Sequence, residues 1–320
     1  MILILSDEEE PTTDLVIDWL IYLKKEFVRI SINNALSIEK IYETQNGFEA
    51  CFSYQKDGET KRIDTKDITS YWYRRSQLRI SLPLIKTDDE EVDKMLMQHI
   101  CSEYKSSLET LNGILNKKAH INRFEDNKIS KIGILTIAKE VGLRIPETLI
   151  CTSKEELYPF YEKLNGEVIT KNIGDPLAIF NEGYHCFTSK VDIENVPEKF
   201  GLTLFQEMIK KKVELRIYYV KGEFYGSAIF SQSDPQTQLD FKNYNTEKPN
   251  RVIPYRIDGD LKEMLQALMD KANLNSGSID VILTTDYQYV FLEVNPVGQF
   301  EQVSIPCNYQ LFRKVAEMLC

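Results

Sequence analysis

The pattern of apolar and polar positions changes period many times along this chain, and each change predicts an element. Residues 2–5 are a continuous apolar run, the mark of a buried strand. Residues 14–25 follow a helical period, with Leu15, Trp19 and Tyr22 spaced for one face. A strand is predicted at 27–32, then alternating segments at 41–54 and 61–63. These are broken at Asn46-Gly47 and Asp57-Gly58, both hairpin signals. Residues 68–75 read as another strand, and a long charged helix follows at 89–112. Ile129, Ile132, Leu135, Thr136 and Ala138 fit a helix that stops at Gly142. Beyond Pro146 lies a strand at 148–151. Ser153 with Glu156 makes a capping box for the next helix, Gly166 ends that helix, and 168–171 is a further strand. From Leu202 the pattern gives strands, a hairpin, and a closing helix at 309–319. No repeat or low-complexity segment interrupts this α/β (α+β) series.

The hairpin carries candidate chemistry. Its arms are 278–283 and 289–295, and Glu293 and Asn295, two apart in a β-rich run, point to one face. A two-residue turn at Asp286-Tyr287 pairs Thr285 with Gln288 and sets Asp280 opposite Glu293. Opposed carboxylates repel and destabilise a sheet. A bound divalent cation removes that cost, and three oxygen ligands on one face suit Mg²⁺. On this reading, truncating either carboxylate relieves repulsion and leaves folding nearly intact. The plainer alternative is a strand pair with solvated polar ends.

Composition narrows the field. The 320 residues suffice for two or three modules with their own cores. Lys plus Arg total 39 against 49 Asp plus Glu, a net charge of -10, which argues against nucleic acid or an anionic membrane as the main partner. Lys210-Lys211-Lys212 is a local exception, read as a solvated turn. Cysteines 51, 101, 151, 186, 307 and 320 show no metal-type pairing and read as incidental thiols of a reducing compartment. His99, His120 and His185 form no zinc-hydrolase pair. The opening apolar run is too short for a signal peptide and no run approaches a membrane span, so the expected location is the cytoplasm.

Asp280 with Glu293-Val294-Asn295-Pro296 resembles the magnesium-binding end of the ATP-grasp ligases, where an Asp and a Glu-x-Asn hold the metals that bridge the ATP phosphates. Other segments agree with the resemblance in order. Lys128 precedes the first helix of the middle block and Lys171 ends a strand after it; the resemblance implies that both face the α and β phosphates. Gln206, Glu207, Met208 and Ile209 match the linker that holds adenine through its backbone. Glu214, seven residues beyond Glu207, matches the acid that binds the ribose, and Arg216 shares its strand face. The similarity spans about residues 120–300. It implies an N-terminal pre-ATP-grasp α/β domain (1–115), a central domain (116–203) and a C-terminal ATP-grasp domain with the metal site (204–320). One departure concerns the glycine-rich loop over the phosphates: here residues 172–176 carry a single glycine.

Tyr71-Trp72-Tyr73-Arg74-Arg75, Phe230-Ser231-Gln232, residues 239–244, 274–280 and 295–300 are closer still to the ATP-grasp maturases of graspetides, of the grasp-with-spasm type, relatives of the microviridin cyclases. That resemblance implies an ATP- and Mg²⁺-dependent macrocyclase acting on a ribosomal precursor peptide. An Asp or Glu side chain becomes an acyl phosphate and is joined to Ser, Thr or Lys as an ester or amide. Lys128, Lys171 and Arg216 would stabilise phosphate oxygens, Asp240 would orient the nucleophile or take its proton, and Arg74 and Arg75 would guide an acidic peptide. Lys242 stands where the family pattern has Arg, so a point charge replaces a fork. The partner is the peptide, without nucleic acid or membrane, and a homodimer is compatible. The alternatives are an amino-acid ligase on the same fold and a non-catalytic nucleotide sensor.

Overall fold

The computed structural model describes all residues except 77, 84, 175–177, 180–183, 186, 187 and 244, with backbone alone at 178, 179, 184 and 185. Cys186, Tyr244, the side chain of His185 and the second half of the 172–176 stretch therefore lie outside the described residues. The chain divides into two units: Met1–Lys128 with Gln310–Cys320, and Ile129–Tyr309.

The first unit is built on a parallel sheet. Its strands are β1 (Ile2–Ser6), β2 (Phe27–Ile30), β6 (Ser70–Arg74) and β7 (Ala119–Ile121), in the order β2-β1-β6-β7. β1 has neighbours on both sides and is buried throughout, which is why its sequence is apolar without alternation. A meander of β3 (Leu36–Thr44), β4 (Gly47–Lys56) and β5 (Glu59–Asp64) forms a second sheet. Its second turn has Asp57 and Gly58 at φ 53° and 78°, the left-handed pair that a two-residue hairpin requires. The charged helix α2 (Glu90–Leu115) starts at Asp89, whose carboxylate accepts from Glu91 N at 2.8 Å, and buries only its last turns.

Helix α1 (Pro11–Tyr22) corrects the predicted face. Its buried residues are Thr12, Thr13, Val16 and Leu20, while Leu15 and Tyr22 are exposed and Trp19 is half-buried. The threonines can be buried because Thr13 Oγ1 accepts from Ser6 Oγ at 2.9 Å and donates to the capping carboxylate of Glu10 at 2.6 Å. The aromatic side packs on the last helix (Leu311–Leu319), where the Arg313 guanidinium lies 5.6 Å from the Trp19 ring centre.

The second unit starts with α3 (Lys131–Glu140), capped by Ser130 and ended by Gly142 at φ 90°. β8 (Thr148–Ser153) follows, then α4 (Lys154–Lys163), whose Ser153 cap accepts from Glu156 N as the sequence predicts. β9 (Val168–Lys171), the short β10 (Ala178–Ile179), β11 (Tyr184–His185) and β12 (Ser189–Lys190), and β13 (Lys199–Glu207) come next. One antiparallel sheet has the order β12-β9-β13-β8, over a core of Cys151, Leu157, Val168 and Phe205. The other contains β14 (Lys211–Val220), β15 (Glu223–Phe230), β16 (Arg251–Tyr255), β17 (Ser276–Thr284) and β18 (Tyr289–Asn295), in the order β16-β15-β14-β17-β18. Helices α5 (Gly259–Lys271) and α6 (Glu301–Cys307) complete the unit. Alternate residues of the central strands, among them Leu215, Ile217, Ile279 and Val281, join Leu135, Leu265 and Leu268 in its main core. The residues between them face the other way, and there the polar cluster stands.

Candidate functional site

Three neighbouring strands bring three charged residues into one row. Arg216 on β14 pairs with Asp280 on β17, and Asp280 pairs with Glu293 on β18. The next row holds Tyr218, Ser278 and Asn295. Side-chain alternation puts Glu214 and Arg216 on one face of β14, and Glu293 and Asn295 on the matching face of β18.

The opposed carboxylates occur, but not through the predicted turn. The loop is one residue longer: Thr284, not Thr285, meets Gln288, with Tyr287 at φ 63°. Val281 through Leu283 pair with Phe291, Val290 and Tyr289, one position off the expected register. A bulge at Leu292 then restores it, so Asp280 faces Glu293 and Ser278 faces Asn295. Bulges of this kind re-aim side chains near functional sites.

Carboxylate repulsion is relieved here by the protein's own cations. Arg216 Nη1 lies 2.7 Å from Asp280 Oδ1. Lys242 Nζ lies 3.1 Å from Asp280 Oδ2 and 2.5 Å from Glu293 Oε1, bridging the pair. Burial pushes the Glu293 carboxyl up, but Lys242, Lys171 and Lys131 outweigh it and hold it well below the usual carboxylate range. Burial pulls the Lys242 ammonium down, and the two carboxylates more than reverse this. Asp280 is therefore no spare carboxylate, and the expectation that its truncation relieves repulsion is corrected: it neutralises a buried guanidinium.

Lys171 stands at the end of β9, half-buried, its ammonium pulled below the ordinary lysine value by burial against the attraction of Glu293. Lys131 is the residue that sequence reasoning missed. It acts electrostatically on both Lys171 and Glu293, and its Nζ donates to Gly174 O at 2.8 Å. A signal existed: Lys131 opens α3, whose first turn has no acidic residue, and a cation at a helix N-terminus is unfavourable unless an anion faces it. Lys128 belongs to the first unit, where its Nζ lies 4.7 Å from the Phe124 ring centre.

The proposed adenine linker begins in the last two residues of β13 and runs past its end. Gln206 is buried and donates through Nε2 to Thr148 Oγ1 at 2.9 Å. Glu207 N and Met208 N donate to the carbonyls of Glu147 and Glu167, both at 2.9 Å. With those two amides engaged, a base would use the carbonyls of this linker and the amide of Ile209. Glu214 is buried, and its Oε1 accepts from Lys211 Nζ at 2.7 Å and Ser231 Oγ at 2.8 Å. Burial pushes its carboxyl up, against the pull of Lys211.

Asp240 uses both carboxylate oxygens: Oδ2 accepts from Thr188 Oγ1 at 2.8 Å and Oδ1 from Lys242 N at 3.0 Å, an Asx turn that aims Lys242. In the first unit Arg74 is buried and ion-paired with Glu10 at 2.8 Å, while Arg75 is exposed at φ 66°.

The turn after Asn295 is closely packed. Gly298 N donates to Asn295 O at 3.1 Å, and a Cβ on Gly298 would fall 2.5 Å from Ser278 Cβ. Gly298→Ala is expected to cost about 1–3 kcal/mol in denaturant unfolding by overpacking. It is also expected to displace the Asn295 backbone.

A scan of protein-family models finds no match, and no curated protein matches. The solved structures do. The chain has the ATP-grasp fold. One similar structure is the Chryseobacterium gregarium RiPP-associated ATP-grasp ligase in complex with ADP and a leader and core peptide, with TM-score 0.77, 23% identity, and 99% of this chain and 94% of that one covered. Another is macrocyclase MdnC bound with precursor peptide MdnA from Microcystis aeruginosa MRC, with TM-score 0.72, 23% identity and coverages of 99% and 98%. ATP-grasp ligase PsnB, complexed with precursor peptide PsnA2 and AMPPNP, gives TM-score 0.69, 15% identity and coverages of 99% and 96%.

Proposed function

We propose that this chain is an ATP-dependent peptide macrocyclase. It activates Asp or Glu side chains of a ribosomal precursor peptide and joins them to Ser, Thr or Lys side chains. The observation that carries the reading is the row Arg216–Asp280–Glu293 with Lys131, Lys171 and Lys242 around it: oxygen donors for a hard cation inside a ring of positive charge. Fold similarity over the full chain to enzymes whose structures hold ADP or AMPPNP and a precursor peptide supports the substrate class.

The residues fit both implied groups. Asp280, Glu293 and Asn295 offer two carboxylates and an amide oxygen, a donor set suited to Mg²⁺ that keeps water and phosphate ligands. Arg216 Nε is buried and makes no hydrogen bond to any described residue, a donor ready for an anion. When bound, the metal supplies charge neutralisation to the β and γ phosphates. Lys131, Lys171 and Arg216 hold the phosphate oxygens by charge-assisted hydrogen bonds. Glu214 receives the ribose hydroxyls, and residues 206–209 receive adenine. Asp240 holds Lys242 in place through its Asx turn and, once its hydrogen bond to Thr188 opens, can accept the proton of the attacking hydroxyl or amine. The exposed Arg75 is the first unit's contact for an acidic peptide; Arg74 supports the fold through Glu10. Holding donor and acceptor on one peptide lets the acyl phosphate be captured before water reaches it.

Mass spectrometry tests this reading. A Thr-, Ser-, Lys-, Asp- and Glu-rich precursor from a neighbouring reading frame is incubated with ATP and Mg²⁺. The expected product is lighter by one water per ring. A product heavier by an amino-acid residue would replace the reading with a ligase, and ATP binding without turnover would replace it with a sensor.

A further inference from the structure

Lys242 sits where a metal would sit. Its ammonium touches one oxygen of Asp280 and one of Glu293, the two carboxylates of the candidate metal set. It reaches them from the 231–243 segment, which contains no helix or strand. The segment's polar ties include Ser231 Oγ to Glu214 and Lys211 Nζ to Leu239 O at 2.9 Å on the sheet, and Thr188 Oγ1 to Asp240 outside it, while Ser231, Thr237 and Phe241 are buried. Arg216 neutralises the remaining oxygen of Asp280 from the strand side and is itself buried, so it is fixed. Lys242 keeps 45% of its side-chain surface and can leave. Of the two cations on the carboxylate pair, one is thus structural and the other exchangeable.

On the proposed metal role of Asp280 and Glu293, we infer that Lys242 is a resident counter-ion that Mg²⁺ displaces. One ammonium and one divalent cation cannot both occupy the space between the two carboxylates, because like charges at that distance repel. Metal arrival therefore expels the ammonium. The 239–243 segment is then held by two ion pairs fewer, and the freed cation can move toward phosphate oxygens. Occupation of the metal site and the position of the loop become one equilibrium, and by linkage each biases the other. A flexible lysine suits this exchange better than arginine, whose planar fork would hold both carboxylates more firmly.

The test is metal binding without nucleotide, read by electron paramagnetic resonance of free Mn²⁺, with hydrogen exchange of the 239–243 segment in parallel. Lys242→Met is expected to bind Mn²⁺ at least roughly tenfold more tightly than the parent, the effect of removing a competing ion pair. Lys242→Gln serves as the second variant, and Lys242→Arg is expected to bind no more tightly than the parent. In the parent, saturating Mn²⁺ speeds exchange across 239–243; in Lys242→Met exchange is already fast and metal leaves it unchanged. Equal affinity in Lys242→Met and parent, with binding lost in a Glu293→Gln protein that keeps its fold by circular dichroism, overturns the displacement and leaves the metal site standing. Absence of saturable Mn²⁺ binding in every variant overturns both the displacement and the metal site on which it rests.

Discussion

Asp280→Ala is expected to lose folding stability and turnover together, whereas Glu293→Gln is expected to lose turnover with a smaller loss of stability. Arg216 and Asp280 keep only 9% and 7% of their side-chain surface, so truncating Asp280 strands a buried guanidinium. Breaking such a pair costs about 3–5 kcal/mol. Glu293 keeps 20% of its side-chain surface and its charge is favoured by Lys242, Lys171 and Lys131, so losing it also costs stability. Its main partner Lys242 is half-exposed and no buried guanidinium is stranded, so the loss is smaller. Both variants remove a proposed metal ligand, and metal charge stabilisation is worth several kcal/mol, so turnover should fall roughly a hundredfold or more in each. Urea unfolding beside peptide-dependent ATP hydrolysis separates the cases. Near-normal hydrolysis in either variant, or an Asp280→Ala protein as stable as the parent, would contradict the assignment.

Lys171→Met is expected to produce the second large effect, in the opposite pattern. Burial disfavours the charged form of this lysine in the folded chain, so folding gains nothing from its ammonium. Replacing it by an apolar side chain of similar length should leave the melting temperature unchanged or raised. ATP affinity should fall about tenfold to a hundredfold, the effect of losing a charge-assisted hydrogen bond of about 1.5–3 kcal/mol. Calorimetric titration of ATP into the two proteins checks it. Unchanged affinity would remove Lys171 from the phosphate site, and a lowered melting temperature would mean that its charge serves the fold.

The legible parts of the sequence were those whose signal is local. The capping box at Ser153, the left-handed turn at Asp57-Gly58 and the strand ending in Lys171 follow from a few neighbouring residues and occur as read. Long-range features fared less evenly. The Asp280–Glu293 pairing occurs although the turn is one residue longer than the sequence predicts, because the bulge at Leu292 offsets that difference. Turn length and bulges are set by backbone fit across the sheet, which alternation along one strand does not encode. The buried face of α1 departs from the expected one because aromatic residues outweigh threonines in any hydrophobic count, while a threonine with hydrogen-bond partners is readily buried. Lys131 has one local signal, a lysine at a helix start, and its meaning depends on the approach of Lys171 and Glu293 from β9 and β18, which no local pattern encodes. The role of Lys242 as a bridge between carboxylates was equally invisible, since it joins a loop to two strands about 40 and 50 residues away.

The central claim is that this site activates a side-chain carboxylate by phosphoryl transfer and passes it to a second side chain of the same peptide. In that reaction a carboxylate oxygen attacks the γ phosphorus and ADP leaves. The hydroxyl or amine then attacks the acyl carbon, and phosphate departs carrying that carboxylate oxygen. Precursor peptide with ¹⁸O in its Asp and Glu carboxylates, turned over with unlabelled ATP, makes the step visible. The account predicts one ¹⁸O in the released inorganic phosphate for every water lost from the peptide. Unlabelled phosphate, or AMP in place of ADP, would contradict it.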